Sequence, residues 1–135
     1  MKTVFVDTSG FFAVLDQTDP FHPQATAMFQ RAERERWTLW TTNYVIAETW
    51  AVVQRRLGWD AVNDFLDVQL PLCQVEFVDG GLHVRGAARC RGARQRGLSL
   101  ADCVSLEFMK QHGITEAIAN DVHFARAQVA LPQKP

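Results

Sequence analysis

Short apolar segments alternate with longer amphipathic segments along most of the chain. Runs of apolar and β-branched residues, bounded by polar or turn residues, predict strands at Thr3–Val6, Trp37–Thr41, Gln74–Val78 and Ala117–Ala119. A final short strand is predicted at Val129–Leu131, before the proline-flanked end. The pattern therefore predicts a sheet of about five strands.

The segments between these strands carry apolar residues at helical spacing. They predict helices at Gly10–Leu15, His22–Arg36, Tyr44–Leu57, Asp60 to about Leu70, Gly80–Gly97 and Leu100–His112. Strands that alternate with helices are typical of parallel strands joined by right-handed crossovers. We therefore expect an α/β fold in which helices cover both faces of the sheet.

Length and composition narrow the class of protein. A chain of 135 residues suits one domain, 1–135, and its 47% hydrophobic and 21% charged residues predict a folded core. Three widely spaced cysteines without a C-x-x-C pair argue against a disulfide scaffold and a thiolate zinc site. With no sorting signal and no membrane-length apolar segment, we expect a soluble, cytoplasmic protein.

Four acidic residues are candidates for chemistry. Asp7 and Asp121 each follow a predicted strand, and either could simply cap the next helix. Glu48 lies among apolar helical residues, where an acid is costly unless it points to solvent. Asp102 follows Ser99 in a capping-box pattern, which explains the acid structurally and would also hold it rigidly.

The combination of these acids favours a metal site over four separate structural roles. In this topology, distant segments can converge at the carboxyl edge of the sheet, where ligands bind. Clustered carboxylates repel and raise one another's pKa unless a cation neutralises them. Oxygen ligands suit Mg²⁺ or Mn²⁺, which can activate water and stabilise charge on a phosphodiester. The resulting hypothesis is hydrolysis of nucleic acid.

Four stretches resemble the PIN-domain ribonucleases, particularly the VapC-type toxins of bacterial toxin–antitoxin pairs. They are "FVDTSGFFAVL", "TTNYVIAETW", "GLSLADCVSL" and "AIANDVHF", in that family's order and approximate spacing. The resemblance implies a three-layer α/β/α fold and a Mg²⁺- or Mn²⁺-dependent endoribonuclease. It also implies a catalytic and metal-binding set that consists of Asp7, Glu48, Asp102 and Asp121.

The same resemblance implies supporting residues and partners. Thr8, Ser9 and Asn43 fall where the family places polar residues that support the site. Ser99 would support Asp102 through its cap, whereas His123, within the D-x-H-F pattern, is assigned no chemistry. The implied partners are an RNA substrate, a cognate VapB-like antitoxin and a second copy in a homodimer, with no membrane.

A basic segment offers a candidate RNA contact. The stretch "RGAARCRGARQR" places five of the 14 basic residues within 12 positions, although the net charge of the chain is only −1. On one continuous helix, Arg85, Arg89 and Arg96 would form a stripe that could follow phosphates. A solvated helix face is the alternative interpretation.

Two other functions are alternatives to the nuclease hypothesis. A haloacid-dehalogenase-like phosphotransferase also places an acid after its first strand, but Ser9 stands where its D-x-D motif needs the second acid. Phosphate-binding loops of the nucleotide-binding types are missing from the sequence. The more serious alternative is a non-catalytic PIN-fold module that binds RNA or protein. The complete set of four acids argues against it.

Overall fold

A parallel sheet forms the centre of the molecule, for which a computed structural model describes residues 2–133. Over these residues its strands are β1 (Thr3–Val6), β2 (Thr38–Thr42), β3 (Cys73–Glu76) and β4 (Ala117–Ile118). The order is β3-β2-β1-β4, and every neighbouring pair is parallel. Thus β1 lies between β2 and β4. The order of the strands changes direction between β1 and β4, and in such sheets this position forms a crevice at the carboxyl ends of the strands.

The predicted fifth strand at Val129–Leu131 is reduced to a single bridge. Ala130 pairs with Glu116 in the parallel sense, and the chain forms no further ladder there. Gln128, just before the segment, has a left-handed backbone with φ of 65°, and Pro132 after it has no N–H to donate. Both features prevent the bridge from extending.

Helices fill the intervals between the strands, as the alternation predicted. They are α1 (Thr8–Leu15), α2 (His22–Glu35), α3 (Asn43–Arg56), α4 (Trp59–Asp64), α5 (Gly80–Ala93), α6 (Leu100–His112) and α7 (Val122–Arg126). After α4 the chain continues through a π-helical turn, Phe65–Gln69, and a 3₁₀ turn, Leu70–Leu72. None of these helices is both long enough and apolar enough to cross a membrane.

Two predicted helices end earlier than expected, and one helix was not predicted. The helix predicted to reach about Leu70 is α-helical only to Asp64. The helix predicted to reach Gly97 ends at Ala93, because Arg94 adopts a left-handed conformation with φ of 50°. The short helix α7 was not predicted. Its five residues follow directly on Asp121, which caps it, and so short a segment gives little periodicity to detect.

The core confirms the layered α/β architecture. Val4, Phe5 and Val6 of β1 are completely buried. Successive strand residues point to opposite faces of a sheet, so helices must cover both faces. On one of them Phe108 of α6 packs against Phe5, with ring centroids 5.9 Å apart.

A glycine fixes the position of α1 against the sheet. A Cβ atom on Gly10 would lie 2.3 Å from the carbonyl oxygen of Ile118, at the end of β4. Only glycine allows this approach of helix to strand. The contact holds the first turn of α1, and Asp7 just before it, against the carboxyl edge of the sheet.

Candidate active site

Asp7 lies at the centre of the site because it joins the end of β1 to the start of α1. Its side chain caps the helix, and Oδ2 accepts hydrogen bonds from Ser9 N at 3.2 Å and from Ser9 Oγ at 2.7 Å. Only 3% of the residue is exposed. The local sequence therefore fixes a carboxylate in a buried position at the edge of the sheet.

Glu48 and Asp102 reach the same position from two other helices. Helix α3 begins directly after β2, where Thr42 caps it, and presents Glu48 from its second turn. Asp102 is in the first turn of α6, where it and Ser99 form a reciprocal capping box. Ser99 Oγ also donates to Glu48 Oε2 at 3.2 Å. One serine thus positions both acids.

The three acids converge as the sequence predicted. One carboxylate oxygen from each of Asp7, Glu48 and Asp102 lies within 4.8 Å of the others. Asp121 lines the same pocket, but it is not part of this close cluster, and its Oδ1 accepts from His123 N at 2.7 Å to cap α7. The fourth acid therefore lies beside the cluster.

Burial and mutual repulsion disfavour charge on the cluster. Burial raises the pKa of Asp7 to about 7, and the charges of Asp102 and Glu48 add to the effect against the hydrogen bonds from Ser9. Burial likewise raises the pKa of Asp102 to about 6, with further contributions from Asp121 and Glu48. A cation held among these oxygens would reverse both shifts.

The donor set fits a hard divalent cation. All the converging atoms are carboxylate oxygens, the ligands that Mg²⁺ and Mn²⁺ prefer. Over residues 2–133, no lysine or arginine forms an ion pair with Asp7, Glu48 or Asp102. The described part of the protein thus supplies the negative charge but no side chain that neutralises it.

The predicted supporting residues fall into two groups. Ser9 holds Asp7 and also accepts from the backbone N–H of Asn120, while Thr49 Oγ1 donates to Thr8 Oγ1 at 2.9 Å and so joins α3 to α1. Asn43 does not line the pocket. Its Oδ1 accepts from Val78 N at 2.8 Å and fastens the start of α3 to the segment after β3.

The continuous arginine stripe predicted from the sequence does not form. Arg96 lies beyond the end of α5, since the helix stops at Ala93. The side chains of Arg85 and Arg89 contact α6 instead, through Gln111 Oε1 at 2.8 Å and Glu107 Oε2 at 2.7 Å. The helical geometry of that prediction was therefore wrong.

Sequence reasoning missed part of the pocket wall. The pocket has a volume of about 400 Å³ and extends past the acids to Phe12, Val52 and Arg56. The available signal was the spacing of Glu48, Val52 and Arg56, since residues four apart on one helix lie on the same side.

Known proteins with similar sequences and structures agree with this architecture. The chain is 29% identical over 125 residues to the 23S rRNA-specific endonuclease VapC20 of Mycobacterium tuberculosis, covering 92% of this chain and 93% of that protein. The crystal structure of VapC20 from that organism, a sarcin–ricin loop cleaving toxin, matches with a TM-score of 0.81 and 28% identity. That match covers 94% of this chain and 96% of the other.

A more distant structure shows the same fold. FitAcB from Neisseria gonorrhoeae matches with a TM-score of 0.65 and 17% identity, over 95% of each chain. The family model for the PIN domain matches residues 4–130. That match takes in all four acids and, except for Thr3, all four strands, and the chain belongs to the PIN domain family.

Proposed function

We propose that this PIN-domain protein is a metal-dependent endoribonuclease and the toxin of a toxin–antitoxin pair. The observation that carries the proposal is the convergence of Asp7, Glu48 and Asp102 within 4.8 Å at the carboxyl edge of the sheet. The similarity to VapC20 over nearly the whole chain supports RNA as the substrate. Ribosomal RNA is accordingly the first substrate to test.

Asp7, Glu48 and Asp102 are the residues that would hold Mg²⁺ or Mn²⁺, with Asp121 beside them. When bound, such a cation supplies charge stabilisation at the scissile phosphate and lowers the pKa of water. Several acids at one site are required because a divalent cation needs multiple oxygen donors and at least partial neutralisation of its charge.

The chain's own contribution is to hold these oxygens in place. Ser9 fixes Oδ2 of Asp7, and Oδ1 carries no hydrogen bond from the residues that the structure describes. Ser99 restrains Asp102 and Glu48 together. Ligands held in this way need little rearrangement when they bind a cation or a phosphate, which favours catalysis.

The proposed partners follow from the same role. A toxin that cuts RNA requires an antitoxin, and we propose a VapB-like one, together with a second copy in a homodimer. The cytoplasm is the expected compartment, since ribosomal RNA is found there. Arg96 is retained as an RNA contact because it adjoins Gly97 in the pocket wall. Arg85 and Arg89 would first have to release their partners on α6.

The direct test is cleavage of 23S rRNA, presented both in ribosomes and as a sarcin–ricin loop hairpin. We expect the wild type to cut with Mg²⁺ or Mn²⁺ and to stop when a chelator is added. Asp7→Asn should lose activity by about two orders of magnitude or more, because it removes a central charge from the site.

Asp60→Asn is the matched control, since Asp60 is an exposed acid on α4 outside the pocket. It should cleave like the wild type. Equal cleavage by Asp7→Asn and the wild type would contradict the proposed site. RNA binding without cleavage, under conditions where Mn²⁺ is bound, would instead favour a non-catalytic binding module.

A further inference from the structure

The pocket that contains the acids has a second end, which carries a positive charge. Away from the three-acid cluster it is lined by Phe12, Val52 and Arg56, together with a further acid, Asp19. Arg56 is the one basic residue that lines this pocket among the residues that the structure describes. This cation partly offsets the charge of the acids in the wall, and it is the group in the lining that can attract a phosphate directly.

The two ends of the pocket are connected by α3. Glu48, Val52 and Arg56 follow one another at intervals of four residues, so they lie along one side of the helix. At 1.5 Å per residue, Arg56 lies about 12 Å further along the helix than Glu48. Arg56 therefore begins well along the pocket from a phosphate that the acids hold. It can contact a neighbouring phosphate of the same strand.

The guanidinium of Arg56 is held in a defined place. Its Cζ lies 4.7 Å from the centre of the Phe12 ring, and Phe12 is itself packed in a buried cluster with Val53 and Val62. Stacking on an aromatic face leaves the N–H groups at the edge of the guanidinium free to donate. Over residues 2–133, Arg56 forms no ion pair.

Its ordinary structural roles leave this placement unexplained. A basic residue in the last turn of α3 favours the helix dipole, but Arg55 supplies the same charge in the same turn. Asp16 senses the charge of Arg56, yet hydrogen bonds from Thr18 are the main cause that lowers the pKa of Asp16. Both carboxylate contacts from Thr18 involve Oδ1 of Asp16.

We propose that Arg56, stacked on Phe12, binds a phosphate of the RNA strand next to the scissile one and so fixes the position of the strand over the acids. The proposal rests on the proposed ribonuclease function. The acids themselves repel the RNA backbone until a cation is bound. A fixed positive charge at the far end of the pocket offsets that repulsion for one phosphate.

The test compares Arg56→Gln with Arg55→Gln. Both substitutions remove one exposed charge from the same helical turn, but Arg55 lies outside this pocket. With the sarcin–ricin hairpin and a mixed-sequence single-stranded RNA, we expect Arg56→Gln to raise KM about tenfold and leave kcat within about twofold. Arg55→Gln should leave both constants near those of the wild type.

Salt dependence separates a phosphate contact from a structural effect. In an Asp7→Asn background, which we expect to bind RNA without cutting it, Arg56→Gln should weaken RNA binding and lower the slope of log K against log salt by about 0.7. Arg56→Lys keeps the charge and should retain most of the slope.

The outcomes distinguish this inference from the function on which it rests. Metal-dependent cleavage that is unchanged in Arg56→Gln, or reduced equally in Arg55→Gln, would overturn the phosphate contact while the nuclease stands. A fall in kcat at constant KM would also overturn it, since a ground-state phosphate contact predicts the reverse. If the wild type cleaves neither RNA at any metal concentration, both proposals fail together.

Discussion

The carboxylate of Asp7 is an unfavourable group in the metal-free protein. Burial and two neighbouring acids raise its pKa to about 7, although the α1 amides and Ser9 favour the anion. An acid with a raised pKa destabilises the folded state wherever it is ionised. The proposed cation site thus costs stability while it is empty, a trade-off common at functional sites.

This cost predicts a specific dependence on pH. The folded protein holds the Asp7 proton more tightly than the unfolded chain, whose carboxyl has a pKa near 3.8. The stability that this group contributes is present below about pH 4 and is lost as the pH rises to about 7. We therefore expect metal-free wild type to melt at a lower temperature at pH 8 than at pH 5.

The variant Asp7→Asn provides the control for that prediction. Asparagine still caps α1 and carries no charge, so in chelator at pH 8 it should be more stable than wild type by roughly 2–4 kcal/mol. Adding Mn²⁺ should raise the melting temperature of wild type and leave that of the variant nearly unchanged. If the variant is less stable than wild type in chelator, the ionised carboxylate of Asp7 does not destabilise the metal-free protein.

Helix starts are the elements that build this site. Asp7 and Asp121 are helix caps, and Asp102 lies in a first turn, so an acid at each of these places also satisfies backbone N–H groups. For this reason the sequence alone could not separate a structural cap from a ligand. The structure shows that Asp7 caps α1, that Asp102 completes the capping box of Ser99, and that both also belong to the three-acid cluster.

For single elements, the sequence predicts a helix end well only where neighbouring residues mark it. Leu100–His112 was predicted with the bounds observed, because Ser99 and Gly113 mark both ends. The end of α5 was not, since Arg94 takes the left-handed conformation that a sequence pattern assigns to glycine. The position of Arg56 was missed because its stacking on Phe12 joins two helices that are distant in sequence.

Replacing each of two glycines by alanine should change the stability of the protein in opposite directions. The reason is that only Gly10 lies in the close contact between α1 and β4. Gly10→Ala would place a methyl 2.3 Å from a backbone oxygen, so α1 must move, at a cost of roughly 2–3 kcal/mol. In Gly92→Ala the new methyl meets nothing within 4 Å, and the protein should gain up to about 1 kcal/mol. Thermal denaturation of the two variants would measure both effects.

RNA cleavage by the two glycine variants should differ in the same way as their stability. Displacement of α1 moves Asp7 and Ser9, so Gly10→Ala should lose cleavage even at temperatures where it remains folded. Gly92→Ala should cleave like wild type. A stable and fully active Gly10→Ala would mean that the position of α1 does not control the site.

For the whole molecule, the net charge of −1 gives no indication of how unevenly the charges are distributed. Negative charge is concentrated at the carboxyl edge of the sheet, while Arg56 is the one basic residue that lines the pocket there within residues 2–133. If the acids hold a divalent cation, as we propose, RNA affinity should depend on the metal. Total charge alone could not predict this arrangement.

For the whole molecule, the sequence could predict that the acids converge. It could not predict which of them form the close cluster. Alternating strands and helices place Asp7 and Asp121 at the same carboxyl edge, and the observed strand order adds that β1 and β4 are neighbours. Whether Asp121 joins the cluster depends on the path of the chain after β4. There it turns into α7 and remains beside the three-acid cluster.

The central claim is that the three-acid cluster holds the divalent cation on which RNA cleavage depends. The most direct measurement follows protein-bound Mn²⁺ and the rate of 23S rRNA cleavage together as free Mn²⁺ is increased, for wild type and Asp102→Asn. The account predicts that the wild-type rate rises in proportion to occupancy and that Asp102→Asn shows neither tight binding nor cleavage. Cleavage that persists without bound Mn²⁺ in chelator, or that is undiminished in Asp102→Asn, would contradict it.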